Sequence, residues 1–180
     1  MWSLRATAGK PWYRLAIMIR FDSLDPDLLQ ALRDASWHSQ RRVDASPWLD
    51  SLQQEGYQPN SKAEEILVAL GGLVIEPVNK SGPNFSNDEP FNFDPISAGL
   101  ASGPWHWRLR KLWGGRYFPI GEWLSYSSVF VEAGGRVVAA GLGWIWGMGS
   151  TIEDALELAV CADRPLVCLH SDAGLEPWPR

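Results

Sequence analysis

The sequence has only two cysteines and no long apolar run, and each absence removes a class of protein. Cys161 and Cys168 match neither a disulfide framework nor the paired spacing of a zinc site. The longest apolar stretches, such as Leu15 to Ile19, are far shorter than the ~20 residues that cross a bilayer. Residues 1–20 also lack the small-residue cleavage site of a signal peptide. We therefore expect a cytoplasmic protein with reduced cysteines and no membrane association.

Motifs for catalysis and metal binding are equally scarce. The three histidines form no pair at ligand spacing, and no serine lies in a GxSxG motif. Asp88, Glu89 and Asp94 lack the alternating oxygen ligands and closing glutamate of a calcium loop. The sequence therefore predicts no catalytic residue, no metal and no cofactor.

One stretch, "GLGWIWGMGS" at residues 141–150, resembles the outline of a dinucleotide-binding loop. It follows a predicted strand and precedes a predicted helix. Its glycine spacing is GxGxxxGxG rather than GxGxxG, and bulky residues occupy positions where a pyrophosphate needs bare backbone. We expect a glycine-rich loop that bends the chain, and a nucleotide-binding protein or enzyme remains an alternative.

Charge is distributed unevenly along the chain. Residues 1–20 contain four basic residues and no acid, so residues 21–180 carry the remaining 12 basic and 21 acidic residues, a net charge of −9. The negative charge of residues 21–180 disfavours direct nucleic-acid binding and favours a basic partner. One basic and aromatic segment, "WHWRLRKLWGGR", keeps nucleic-acid binding open as an alternative, although Trp107 and Lys111 also have the spacing of a cation–π pair within a helix.

Three helices are predicted in the first 70 residues. Asp25 and Pro26 begin the first, Ser46 caps the second, and Ser61 caps a third that ends at Gly71 and Gly72. The double glycine then turns the chain into the strand "LVIEP". A long Gly, Pro, Ser and Asn-rich stretch that contains Asp88 and Glu89 follows and is predicted to be an exposed loop.

The second half of the sequence predicts a helix from Pro104, with Trp105, Leu109 and Leu112 on one side, then strands and a last helix. Extended runs at "RYFPIGEW", "SSVFVEA" and "RVVAAGLGW" are joined in part by a hairpin at residues 133–135, so the sheet is at least partly antiparallel. "STIEDALELAVCA" has one apolar helical face. The pattern predicts an α+β domain of N-terminal helices packed on a largely antiparallel β-sheet, with a C-terminal helix. We divide the chain into an N-terminal extension (1–20), a domain (21–170) and a C-terminal tail (171–180).

Several segments together resemble the third group of the SUKH superfamily of bacterial immunity proteins over roughly residues 20–168. The resemblance rests on the following residues: Trp37, Arg41, Val43, Trp48, the helix-to-Gly-Gly-Leu joint, Phe93-Asp94-Pro95 and Pro119-Ile120-Gly121-Glu122. The family usually has glycine where this chain has Ser36 and Gln40, and proline where it has Ser39, so we expect a different first inter-helix turn.

The resemblance implies a compact α+β domain that binds and neutralises the toxin domain of a polymorphic toxin, often a nuclease or a nucleic-acid deaminase, without catalysis. Asp88, Glu89 and Asp94 are then the acidic candidates for toxin binding. Trp123, Trp144 and Trp146, at strand ends or in the glycine-rich stretch, are the candidates for exposed aromatic anchors. An intracellular scaffold or regulator with the same domain remains the main alternative.

Overall fold

The computed structural model of the protein describes residue 19 and residues 21–78, 80–82, 84–101, 105–124 and 127–179. The predicted extension, residues 1–20, therefore lies outside the described residues except for Ile19. The described chain has helices and one seven-stranded antiparallel sheet, so the predicted α+β class is confirmed.

The sheet is a simple meander in which every strand pairs with its neighbours in the chain, in the order β1 to β7. The strands are β1 (Val74–Ile75), β2 (Phe91–Asn92), β3 (Tyr117–Trp123), β4 (Ser127–Glu132), β5 (Val137–Gly141), β6 (Trp144–Gly149) and β7 (Val167–Ser171). The predicted hairpin at residues 133–135 joins β4 to β5, and Gly135 supplies its positive φ of 107°. Because the sheet is open, β1 and β7 are its two edges.

The helices come before the first strand, between β2 and β3, and between β6 and β7. They are α1 (Pro26–Asp34), α2 (Ser46–Gln54), α3 (Ser61–Leu70), α4 (Pro95–Ala101), α5 (Trp105–Trp113) and α6 (Ile152–Leu156), and α6 continues into a π-helical turn (Glu157–Cys161). Helices α3 and α4 pack against β3 and β4, α5 packs against β3, and α6 packs against β6. The central strands are consequently buried along almost their whole length.

Two predicted helix caps are displaced by one residue. Asp25 does cap α1, where its side chain accepts a hydrogen bond from the Asp27 N–H. Ser61, however, is the first residue of α3, and the cap is Asn60, whose side chain accepts from the Ala63 N–H and donates to the carbonyls of Arg116 and Val131. Ser46 likewise begins α2 instead of capping it. Because the amide of Asn60 has a separate acceptor oxygen and NH₂ donor, it caps α3 and at the same time bonds to the Val131 carbonyl of β4.

Gly71 and Gly72 form the turn from α3 into β1, and their backbone groups are occupied. The Gly71 N–H donates to Leu67, the Gly72 N–H donates to Phe93, and the Gly71 carbonyl accepts from the Arg41 guanidinium at 2.7 Å. Gly72 has a φ of +79°, which disfavours a side chain, and Gly71 lies against the ring of Trp48. Neither N–H points to an open site where a phosphate could bind.

The glycine-rich stretch 141–150 was expected to be a loop, and this expectation is wrong. Leu142 and Gly143 make the turn between β5 and β6, and Trp144–Gly149 is strand β6, paired with both β5 and β7. Aromatic and β-branched residues favour a strand here, and the glycines fit because Gly147 faces the Leu169 side chain and Gly149 faces Asp154. Antiparallel pairing on both sides also rules out the βαβ unit of a dinucleotide-binding fold.

Helix α4 was missed by the sequence analysis. It follows Asp94, whose carboxylate accepts hydrogen bonds from the N–H groups of Ile96 and Ser97 and from the Ser97 hydroxyl. Pro95 takes the first helical position. This is the same Asp-Pro signature that predicts α1, so the signal was present in the sequence.

Candidate functional site

A groove between α1 and β1 is the most distinctive acidic feature of the described surface. It has a volume of about 440 Å³, and Asp27 and Asp34 of α1 and Glu76 after β1 are among the residues that line it. Asp27 and Asp34 are seven residues apart on α1, which places them on one helix face about 10 Å apart along the axis. No lysine or arginine is among the residues that line the groove.

The same groove has an apolar part. Val74 on the edge strand β1 is 47% exposed, and Val78 is 45% exposed. Ala31, Ala35 and Pro77 complete the apolar lining. An apolar patch with a charged rim is the composition expected of a protein-binding surface rather than of a site for a small ion.

The acidic character continues beyond the groove along the π-helical turn, which packs against α1. Burial, followed by the negative charges of Asp25, Asp163 and Glu157, raises the pKa of the Cys161 thiol to about 12. Burial, followed by repulsion from Asp163, also raises the pKa of Glu157. We call the set Asp25, Asp27, Asp34, Glu76, Glu157 and Asp163 the acidic face.

Two cations approach the acidic face without neutralising it. Lys80 lies 4.0 Å from the Glu76 carboxylate, and both side chains are more than half exposed, so the ion pair is weak. Arg164 pairs with Asp163 but also donates to the carbonyls of Met148 and Asp154, which gives it a structural role between β6 and α6.

The loop that contains Asp88 and Glu89 lies beside the acidic face. Its Asn84 and Asn87 side chains donate to the carbonyls of Ala162 and Ala159, and the Val78 N–H donates to Val160. These bonds attach the described part of the loop to the π-helical turn. Asp88 is exposed and Glu89 is half-buried. Asp94, the third predicted acidic candidate, has a structural role instead, because its carboxylate caps α4.

Two of the three tryptophans predicted as exposed anchors are buried. Trp123 and Trp146 are each 1% exposed, so this expectation is wrong for both. The Trp146 N–H donates to the Trp178 carbonyl and the half-buried Trp144 donates to Glu176, so the C-terminal tail covers both rings. The sequence analysis placed Trp144 and Trp146 in a surface loop because it did not predict strand β6.

The tail is held by helix α5. The Arg108 guanidinium makes two hydrogen bonds with the Asp172 carboxylate and lies 4.2 Å from the centre of the Trp105 ring. The hydrogen bonds from Arg108 are the main cause that lowers the pKa of Asp172. This cation–π contact takes the place of the one that spacing suggested between Trp107 and Lys111.

A sizeable part of α5 is nevertheless open to solvent. The exposed fraction of Trp107 is 60%, the largest among the tryptophans that the structure describes, and Arg110 and Lys111 are exposed beside it. Sequence analysis noted this segment for its composition but did not identify Trp107 as its exposed residue.

The described residues contain neither a metal site nor a membrane-spanning helix. No group of histidine, cysteine, aspartate or glutamate side chains there has the arrangement of a metal site. None of the described helices has the length and apolar character needed to cross a membrane.

Comparison with protein-family models gives one match, to the SUKH-3 immunity protein family, over residues 24–160. The chain belongs to this family. The matched range contains α1, β1 and the acidic loop, so the whole groove lies within the SUKH-3 domain, whereas β7 and the C-terminal tail lie outside the match. No curated protein and no solved structure gave a significant match.

Proposed function

We propose that this SUKH-3 protein is a cytoplasmic immunity protein that binds and neutralises a cognate bacterial toxin domain, and that its acidic groove is the surface that binds. Membership of an immunity protein family supports the general role. The groove supports the location, because it combines three carboxylates with two exposed valines on one concave surface.

The charge of the groove favours a toxin that acts on nucleic acid. Enzymes that bind nucleic acid present positive charge to the phosphate backbone. An acidic inhibitor can use that surface for fast, electrostatically steered association. We therefore propose a nuclease or nucleic-acid deaminase domain of a polymorphic toxin as the partner, with inhibition by binding rather than by catalysis.

Charge alone would give speed but little selectivity, so part of the affinity must come from apolar contacts. Val74 and Val78 provide such contacts at the groove, which is the role expected earlier of Trp123 and Trp146. Trp144 remains a candidate only if the tail is displaced, since Glu176 and Trp178 lie over it.

The groove variant Asp34→Lys/Glu76→Lys is suited to testing this proposal because it should fold normally. A lysine at the last residue of α1 is favoured by the helix dipole, and Glu76 makes only the weak contact with Lys80. The matched control is Asp50→Lys/Glu55→Lys, which changes the net charge equally at two exposed residues in and after α2, outside the groove lining.

The test is co-expression with the toxin domain encoded beside this gene. Wild type and the α2 control should co-purify with the toxin and protect the cells, and the groove variant should do neither. Failure of the wild-type protein to protect would overturn the immunity assignment. Protection by the groove variant equal to that of the control would place the binding surface elsewhere.

A further inference from the structure

We propose that a second copy of this chain occupies the acidic groove when no toxin is bound, and that it binds through the outer face of α5. This outer face consists of Trp107, Arg110 and Lys111. One consequence rests on the proposed function. If the groove also binds the toxin, self-association and toxin binding exclude each other.

The three residues form one surface because they lie at positions i, i+3 and i+4 of a nine-residue helix. All three are exposed, and the opposite side of α5 is anchored in the core by Leu109, which is fully buried. Between Asp94 and Glu122 the sequence has four cations and no acid, so no neighbour along the chain offsets this charge. Arg108, one of the four cations, is already bound to Asp172.

An exposed tryptophan one helical turn before two cations has the composition of an interface anchor. Tryptophan and arginine are the residues most enriched among those that dominate binding energy. The groove offers the complementary chemistry, because Val74 and Val78 can contact an indole while Asp27, Asp34 and Glu76 surround it with negative charge. Its volume of about 440 Å³ falls within the roughly 300–1,000 Å³ of ordinary ligand clefts, so it has room for an indole ring.

Nucleic acid fits the outer face of α5 less well than a protein does. One exposed ring and two cations are a small footprint for a strand, and the net charge of −5 repels phosphate over longer distances. A second copy has the same net charge, but its groove adds Val74 and Val78, which give the indole apolar contacts that a phosphate backbone lacks.

The contact joins two different surfaces, so it is heterologous and each copy retains one unused surface. This predicts association that grows with concentration and weakens with salt. It also predicts that two variants, each defective in a different surface, restore one another.

The experiment is sedimentation velocity of the full chain over a range of concentrations at low and high salt, with two variants and a control. Trp107→Ala removes the anchor, and Asp34→Lys/Glu76→Lys removes the groove charge. Each should weaken self-association by roughly tenfold or more. Leu142→Ala, which removes a side chain 67% exposed at the β5–β6 turn, should not.

Mixing the two defective variants is the decisive step. Trp107→Ala retains an intact groove and the groove variant retains an intact α5, so the mixture should form a 1:1 complex although neither variant associates alone. A wild-type protein that stays monomeric, association that survives Trp107→Ala, or a mixture without complex would each overturn the proposal. Binding of a single-stranded oligonucleotide that Trp107→Ala abolishes would overturn it in favour of nucleic acid.

These outcomes are separable from those of the proposed function. Trp107→Ala should still bind and neutralise the toxin, because its groove is unchanged. A wild-type protein that binds the toxin but stays monomeric would therefore overturn only this inference, and a wild-type protein that self-associates but does not bind the toxin would overturn only the proposed function.

Discussion

Gly71 and Gly72 should each resist a side chain, but for different physical reasons. Gly72 has a φ of +79° with open space around it, so a methyl group there would strain the backbone without touching a neighbour. Gly71 has an ordinary φ of −51°, but a methyl group there would overlap the Trp48 ring and approach the Leu67 carbonyl to 2.6 Å. The two substitutions therefore separate strain from overpacking.

Both substitutions should destabilise the protein measurably. Holding alanine in the left-handed region at Gly72 costs about 1–2 kcal/mol, and asparagine, which tolerates that region, should cost less. Overpacking at Gly71 costs about 1–3 kcal/mol. In a chain of this length, each 1 kcal/mol lowers the melting temperature by about 2–4 °C.

Urea denaturation measures the loss in free energy of unfolding for each variant. The set consists of Gly72→Ala, Gly72→Asn, Gly71→Ala, Trp48→Leu and the double variant Gly71→Ala/Trp48→Leu. Because the overlap at Gly71 is partly with Trp48, the double variant should be more stable than the sum of the single variants predicts, by at least about 0.5 kcal/mol. Strict additivity would show that Trp48 does not pack on Gly71. Equal stability of Gly72→Ala and Gly72→Asn would refute the strain argument.

Further predictions concern the loop beside the acidic face, the Cys161 thiol and the first inter-helix turn. Reversing Asp88 and Glu89 to lysine should slow toxin association and weaken its salt dependence in stopped-flow binding, and an unchanged rate would remove the loop from the interface. In a Cys168→Ser background, Cys161 should react slowly with a thiolate-selective reagent at pH 8 until urea is added, because its folded pKa is about 12. Since the unfolded thiol ionises at a lower pH, stability should fall as pH rises above about 8.5, and denaturant titrations that show no such fall would contradict this pKa. Ser36→Gly should stabilise the fold by about 0.5–1 kcal/mol, since Ser36 has a φ of 71°, and an unchanged melting temperature would contradict that conformation.

The parts of the fold that were predictable are those encoded locally. The Asp-Pro start of α1, the apolar stripe of α3 and the hairpin at residues 133–135 each lie within a few residues of their signal. Strand β6 was not predictable in this way, because its glycines are typical of a loop. They fit a strand because the side chains of Leu169 and Asp154 pack against them, and these contacts cannot be located from the sequence. The family resemblance also carried structural information, since the position where glycine is usual is the one where Ser36 adopts a left-handed conformation.

The candidate site depended on contacts between distant segments and so could not be located from the sequence. The net charge of residues 21–180 indicated an acidic surface, but only packing brings α1 beside β1 and so places Asp27 and Asp34 near Glu76. Burial of Trp123 and Trp146 was equally inaccessible, because it depends on the sheet and, for Trp146, on the returning tail.

The central claim is that the acidic groove binds the toxin, and the association rate constant tests it most directly. Stopped-flow binding should be measured at low and at physiological salt for wild type, for Asp34→Lys/Glu76→Lys and for the charge-matched Asp50→Lys/Glu55→Lys. Local steering predicts that the groove variant associates at least tenfold more slowly at low salt and loses most of its salt dependence, while the control stays close to wild type. Equal slowing by both variants would show that only the net charge matters, and would contradict the assignment of the groove.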